Sequence, residues 1–92
     1  MKIEYDPTKE TKNLEKHKVS LTWASSLEWE ELLAIQDCRA DYGEVRMIGY
    51  APISNRLYCV VYTDRGDVRR IISLRKANKR EVLSYAKQQN RS

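Results

Sequence analysis

LYCVVYTDRGDVRRIISLRK, residues Leu57 to Lys76, is two runs rich in Val, Ile and Tyr on either side of Asp64-Arg65-Gly66-Asp67. Apolar and β-branched runs flanking a glycine-containing turn are the signature of a β-hairpin. With Arg65 and Gly66 as a two-residue turn, Thr63 faces Val68, Val61 faces Arg70, Cys59 faces Ile72 and Leu57 faces Leu74. One face then holds Leu57, Cys59, Val61, Val68, Ile72 and Leu74, with Arg70 its only charge, and reads as core. The other holds Tyr58, Val60, Tyr62, Arg69, Ile71, Ser73 and Arg75, and reads as an open surface interleaving tyrosines with arginines. A one-residue slip exchanges the faces of a strand. The alternative, a three-residue turn, sets Arg70 beside Tyr62; the two-residue register segregates apolar from polar residues better.

Upstream, Lys2 to Tyr5 alternates as a short strand with Ile3 and Tyr5 on one side. Asp6-Pro7 opens a helix: Asp6 caps free N–H groups and Pro7 suits the first helical position. That helix runs to about His17, with Lys9, Asn13, Lys16 and His17 along one polar stripe. Leu21 to about Leu27 reads as a second short helix with Trp23, Ala24 and Leu27 inward and Trp29 anchoring its end. Glu28, Glu30 and Glu31 form an acidic knot that answers the basic second half of the chain or is simply solvated. Leu32–Gln36 and Glu44–Ala51 read as strands around a polar connection, with a turn at Pro52–Asn55. Downstream, Asn78 and Glu81 have capping-box spacing. They open a helix from about Lys79 to Gln89 with Val82, Leu83 and Ala86 as its buried stripe, and Asn90, Arg91 and Ser92 fray. The order is β-α-α-β-β-β-β-α. It predicts an α+β fold: an antiparallel meander with the helices on one face and the other face open to a ligand.

The 92 residues suffice for one domain, 1–92, with one modest core. No stretch reaches the length of a membrane span and none resembles a signal peptide, so the expected setting is the cytoplasm. Cys38 and Cys59 lack metal-site spacing and a lone histidine cannot complete a zinc site with them; reduced, hydrophobe-like cysteines are expected, with no metal and no cofactor. Charge is unevenly placed. Residues 1–45 carry six Lys/Arg against ten Asp/Glu, net −4, and residues 46–92 carry eleven against three, net +8. Internal pairing leaves a basic surface over, which suits a polyanion or an acidic partner.

No Ser-His-Asp triad, phosphate-cradling glycine loop or paired-carboxylate site is present. Arginine, lysine, tyrosine and one histidine remain. That set suits RNA cleavage, because RNA supplies its own nucleophile, the 2′-hydroxyl. A protein need only align it, offset phosphorane charge and move two protons. Arginine is the best bidentate partner for phosphoryl oxygens and tyrosine stacks on unpaired bases. Cross-strand Arg–Tyr pairs with no such role explain the pattern equally well.

Three segments carry a resemblance: YDPTKETKNLEKHKVS (Tyr5–Ser20), GEVR (Gly43–Arg46) and CVVYTDRGDVRRIISLRKANKREVLSY (Cys59–Tyr85). The chain resembles the BrnT family of bacterial ribonuclease toxins, and the third segment is the specific one. The resemblance implies a compact RelE-like fold and a metal-independent endoribonuclease that inhibits growth by cleaving RNA. It implies a BrnA-type ribbon-helix-helix antitoxin, a 2:2 complex, and contact with DNA only through that partner. A non-catalytic RNA-binding or antitoxin-binding module is the alternative.

Carried over residue by residue, the motifs fall on Lys9, Asn13, Lys16, His17, Arg46, Tyr62, Arg65, Arg70, Ser73, Arg75 and Lys76. The candidate catalytic groups are Tyr62, Arg65, Arg70, Arg75 and His17. The candidate RNA contacts are Lys9, Lys16, Arg46, Tyr58, Arg69, Ser73, Lys76 and Lys79. Arg70 is pulled two ways: the motif puts it in the site, while the two-residue turn buries it, where it needs a carboxylate such as Asp6 or Asp37. His17 is either an acid–base group or a cap on helix-end carbonyls. Two positions depart from the family pattern: Lys18, where glycine commonly eases a left-handed helix end, and Leu74, where a small residue is common.

Overall fold

A computed structural model describes residues 1–90; the fraying expected of Arg91 and Ser92 lies outside the described residues. Strands β1 (Lys2–Tyr5), β2 (Leu33–Gln36), β3 (Met47–Ile53), β4 (Arg56–Arg65) and β5 (Val68–Lys76) form one sheet in the order β1-β5-β4-β3-β2. The last four are antiparallel neighbours in chain order, as expected of short connections. β1, however, lies parallel to β5, so the sheet is mixed. The chain leaves that edge through α1 (Pro7–His17), crosses to the far edge at β2 and works back strand by strand to β5, which brings β5 alongside β1 in the same direction.

Helix α1 begins and ends where its residues dictate. The Asp6 carboxylate accepts from Thr8 N–H at 2.7 Å, and Lys18 closes the helix in the left-handed region, φ 60°. The expected second helix is a 3-10 helix, Leu21–Ser26, capped by Ser20. Glu10 of α1 holds its start, accepting from Ser20 Oγ at 2.6 Å and Leu21 N–H at 2.7 Å. Within it Leu21 and Ala24 are buried, whereas Trp23, expected inward, is exposed and meets Tyr58 edge-on. A second 3-10 turn, Trp29–Glu31, follows; Trp29 anchors the end of the first, as expected, through an indole N–H bond to the Ala24 carbonyl, 3.0 Å.

The hairpin turns one residue later than the sequence suggested. Arg65 pairs with Val68, so Gly66 and Asp67 are the turn, with Gly66 at φ 64°. A bulge between Val61 and Tyr62 then shifts the register, setting Tyr62 opposite Ile71 and Val61 opposite Ser73. The extra residue, Ile72, allows Ile71 and Leu74, three apart, to reach the same core. The consequence reverses the expected faces. Tyr58, Val60, Tyr62, Ile71 and Leu74 pack with Val19, Leu21, Ala24 and Leu27 as the main core. Leu57, Cys59, Val61, Ser73 and Arg75 lie on the second face. Both faces of β4 are apolar, so alternation alone does not choose between them. The two 3-10 segments decide the matter by bringing Trp23 and Trp29 onto the tyrosine side.

β3 also differs from expectation, running through Pro52 to Ile53, with a two-residue turn at Ser54–Asn55 and Arg46 outside it. Helix α2 (Lys79–Gln89) has the expected capping box, but not the expected burial. Val82, Leu83 and Ala86 are all exposed. Its Glu81 and Tyr85 side turns inward instead, with Glu81 bonded to Tyr50 on the second face and Tyr85 to the Glu31 carbonyl. Layers therefore lie on both sides of the sheet, not one.

Candidate functional site

The second face carries the polar groups. From the hairpin turn, β5 presents Arg70, Ser73 and Arg75 on that side, all half-buried. Arg75 is gripped at its fork: Nη1 donates to Glu81 Oε1 at 2.8 Å and Nη2 to Glu81 Oε2 at 2.9 Å. Tyr50, from β3, donates its hydroxyl to the same carboxylate at 2.8 Å. Arg75 holds the Glu81 carboxyl down at a pKa of about 2, helped by the Asn78 N–H and Tyr50. Burial, and then the bond to Glu81, pushes the Tyr50 phenol well up, so it stays a donor. Cys59 lies opposite Arg75 in the ladder, buried, its thiol raised chiefly by burial. Both cysteines are free, as expected.

His17 comes to this end of the face from the last turn of α1. Burial lowers its pKa below the ordinary value of 6.5, and the charges of Lys16 and Arg75 lower it further. The imidazole is thus neutral at neutral pH and adjoins two cations. A neutral imidazole can accept a proton, and the Arg75 charge it senses is paired with the Glu81 carboxylate.

The other candidates are dispersed. Tyr62 and Tyr58, expected on the open face, are 3% and 6% exposed in the core, the hairpin register having put them there. Arg69 is sandwiched between the rings of Trp29 and Tyr62, at 4.8 and 4.3 Å, and chelated by Asp64 at 2.7 and 3.0 Å. Arg70 ties β5 to β1 and the start of α1, pairing with Glu4 at 2.8 Å and Asp6 at 3.7 Å. The register that predicted its burial fails, yet Asp6 is among its partners. Arg65 pairs with Glu44 near the hairpin tip and Arg46 stacks on Tyr42 at 3.8 Å. Lys76 and Lys79 are exposed beyond Arg75. Lys9 sits in the first turn of α1; at 1.5 Å per residue the helix separates it from His17 by about 12 Å. Of the acidic knot, Glu31 engages Tyr85 and Gln89 of α2, and the Glu28 N–H donates to the Pro52 carbonyl at 2.9 Å.

Asn13 faces inward and is structural: its amide bonds the backbone of Leu74 and Val19. Leu74, where the family commonly has a small residue, is fully buried in the core. Tyr50 and Glu81 are the site residues that the sequence did not reveal. Glu81 was legible as a capping residue, but nothing local marks its second engagement with a guanidinium.

The geometry defines an α+β protein whose mixed sheet carries on its second face an Arg75–Glu81–Tyr50 cluster, near enough to His17 for the Arg75 charge to lower the imidazole pKa. Residues 5–81 match the family described as "Ribonuclease toxin, BrnT, of type II toxin-antitoxin system". The chain belongs to that family of ribonuclease toxins, and a type II system supplies it with an antitoxin partner. No curated protein matches the sequence. Among the described residues no helix is long and apolar enough to cross a membrane.

Proposed function

We propose that the chain is a metal-independent endoribonuclease of RelE-like fold, acting in the cytoplasm and neutralised by a BrnA-type antitoxin. The observation that supports it most is the neutral His17 imidazole beside Arg75 and Lys16 in a member of a ribonuclease toxin family. His17 takes the proton of a 2′-hydroxyl, whose oxygen attacks the adjacent phosphorus. The bond to the 5′-oxygen breaks, and that oxygen leaves with a proton from solvent. A 2′,3′-cyclic phosphate and a 5′-hydroxyl result. Arg75 and Lys16 offset the phosphorane charge, and Ser73 and Lys76 flank the RNA backbone. Substrate phosphate must displace Glu81 from the Arg75 fork. Arg65, Arg69 and Arg70, each held by a carboxylate, and the buried Tyr58 and Tyr62 support the scaffold in this reading.

The antitoxin is of ribbon-helix-helix type and dimeric, so that two toxins are held around it and DNA is reached only through it. The test of the activity is cleavage of RNA in excess EDTA with 2′,3′-cyclic phosphate ends. Loss of activity in EDTA, or 5′-phosphate products, contradicts it. The second reading, an RNA- or antitoxin-binding module without catalysis, draws on the bidentate Arg75–Glu81 pair, which already neutralises the central cation. It predicts that RNA is bound and left intact.

A further inference from the structure

A cleft of about 400 Å³ lies between α2 and the second face of β2 and β3. On the sheet side it is lined by Leu33, Ile35, Ile48 and Tyr50, and on the helix side Arg80 and Glu81 contribute. Its sheet wall is mainly aliphatic while its helix wall is polar, and Ile35 is 70% exposed on what is an edge strand. Ile35 stands with Leu33 and Ile48 on one concave wall, an aliphatic patch suited to contact with an apolar segment. We infer that the cleft receives an aliphatic segment of the protein antitoxin, bearing a carboxylate that meets Arg80. The inference rests on the family's requirement for an antitoxin and deepens the proposed function by saying where neutralisation occurs.

Charge and shape select this occupant. RNA needs a row of cations along its backbone, and the cleft offers Arg80, which has no carboxylate partner among the described residues. A second copy in a two-fold contact presents the same patch, and the one carboxylate lining it, Glu81, is already held by Arg75 and Tyr50. A carboxylate-bearing aliphatic segment satisfies both the walls and the cation. The cleft is also continuous with the candidate site. Tyr50 and Glu81 line it and, at the same time, hold Arg75. An occupant seated there pins α2 against the sheet and keeps the Glu81 carboxylate in the Arg75 fork, closing the site to phosphate without entering it.

The experiment compares the full chain with Ile35→Glu and Arg80→Glu, using the antitoxin encoded beside the toxin gene as the probe. Both positions are exposed, and thermal melts verify that the variants fold. Each variant is expected to weaken antitoxin binding at least about tenfold, with RNA affinity and the mass of the free chain unchanged. Wild-type affinity in both variants, or no complex with the wild-type chain, overturns the inference. So does RNA affinity that falls with Ile35→Glu, which makes the cleft part of the RNA surface. A free-chain dimer by light scattering that Ile35→Glu dissociates makes the occupant a second copy and overturns it as well. If the free chain leaves RNA intact while both variants still lose the antitoxin, the catalytic reading fails and the docking site stands.

Discussion

The Asn13 side chain completes the edge of β5 at Leu74: Nδ2 donates to the Leu74 carbonyl at 2.7 Å and Oδ1 accepts from the Leu74 N–H at 3.1 Å. β1 covers that edge only as far as Ile71, and the Asn13 amide takes the place of the missing strand. The same Nδ2 reaches the Val19 carbonyl at 2.8 Å. Asn13→Ala leaves buried backbone groups unsatisfied, at roughly 1–3 kcal/mol each. It should lower stability by about 3 kcal/mol, measured by urea unfolding. Asn13→Asp should be at least as damaging, since a carboxylate there confronts two carbonyl oxygens. A loss under about 1 kcal/mol in either variant argues against this role.

Glu81 makes a second prediction because its carboxyl pKa is near 2 against an ordinary 4.5. A carboxyl depressed on folding stabilises the folded state fully above pH 4.5, and that contribution disappears as pH falls towards 2. Glu81→Gln should therefore melt lower than wild type at pH 7, and the gap should narrow through this window. In the catalytic reading, the same variant frees the Arg75 fork and raises RNA cleavage severalfold. Melting curves from pH 2 to 7 and cleavage assays at pH 7 check the two halves separately.

His17 should give the pH dependence of the reaction. Its pKa lies below 6.5 because the ring is partly buried and faces Lys16 and Arg75. Cleavage should rise as pH increases through that pKa and reach a plateau by neutrality. His17→Gln should lose about 10²–10⁴-fold in kcat/KM, the usual worth of a positioned base, while still binding the antitoxin. Full activity in this variant transfers the proton-accepting role to another group.

Lys18 is a strained helix end, holding φ 60° where its side chain disfavours that conformation. The left-handed geometry is kept by its N–H bond to the Leu14 carbonyl, 3.0 Å, so the helix boundary has not moved. Lys18→Gly should stabilise the chain by up to about 1 kcal/mol, read as a higher Tm. No gain would mean that the unfolded chain benefits from glycine's freedom as much as the folded one does.

Local chemistry was legible where one residue acts on its near neighbours. Asp6-Pro7, the Asn78/Glu81 box and the Val-Ile-Tyr runs placed α1, α2 and the hairpin within a residue or two, since caps and turn signals act over three or four positions. His17 and Arg75 were named from motifs 58 positions apart in the sequence. What tertiary structure alone decided was which face of the hairpin became core. Leu57, Cys59 and Val61 on one side and Tyr58, Val60 and Tyr62 on the other are both apolar enough to be buried. The choice fell to the two tryptophans that the 3-10 segments bring over the tyrosine side, and to the bulge that turns Ile71 and Leu74 the same way. Glu81 and Tyr50 show the same division: capping is a three-residue affair, but the grip on Arg75 exists only once β3, β5 and α2 are assembled. The stripe of Val82, Leu83 and Ala86 points to solvent for the same reason. Hydrogen bonds to Tyr50, Arg75 and the Glu31 carbonyl orient the helix more strongly than a short apolar stripe can, and Tyr50 and Glu31 lie 31 and 54 positions from their partners in the chain.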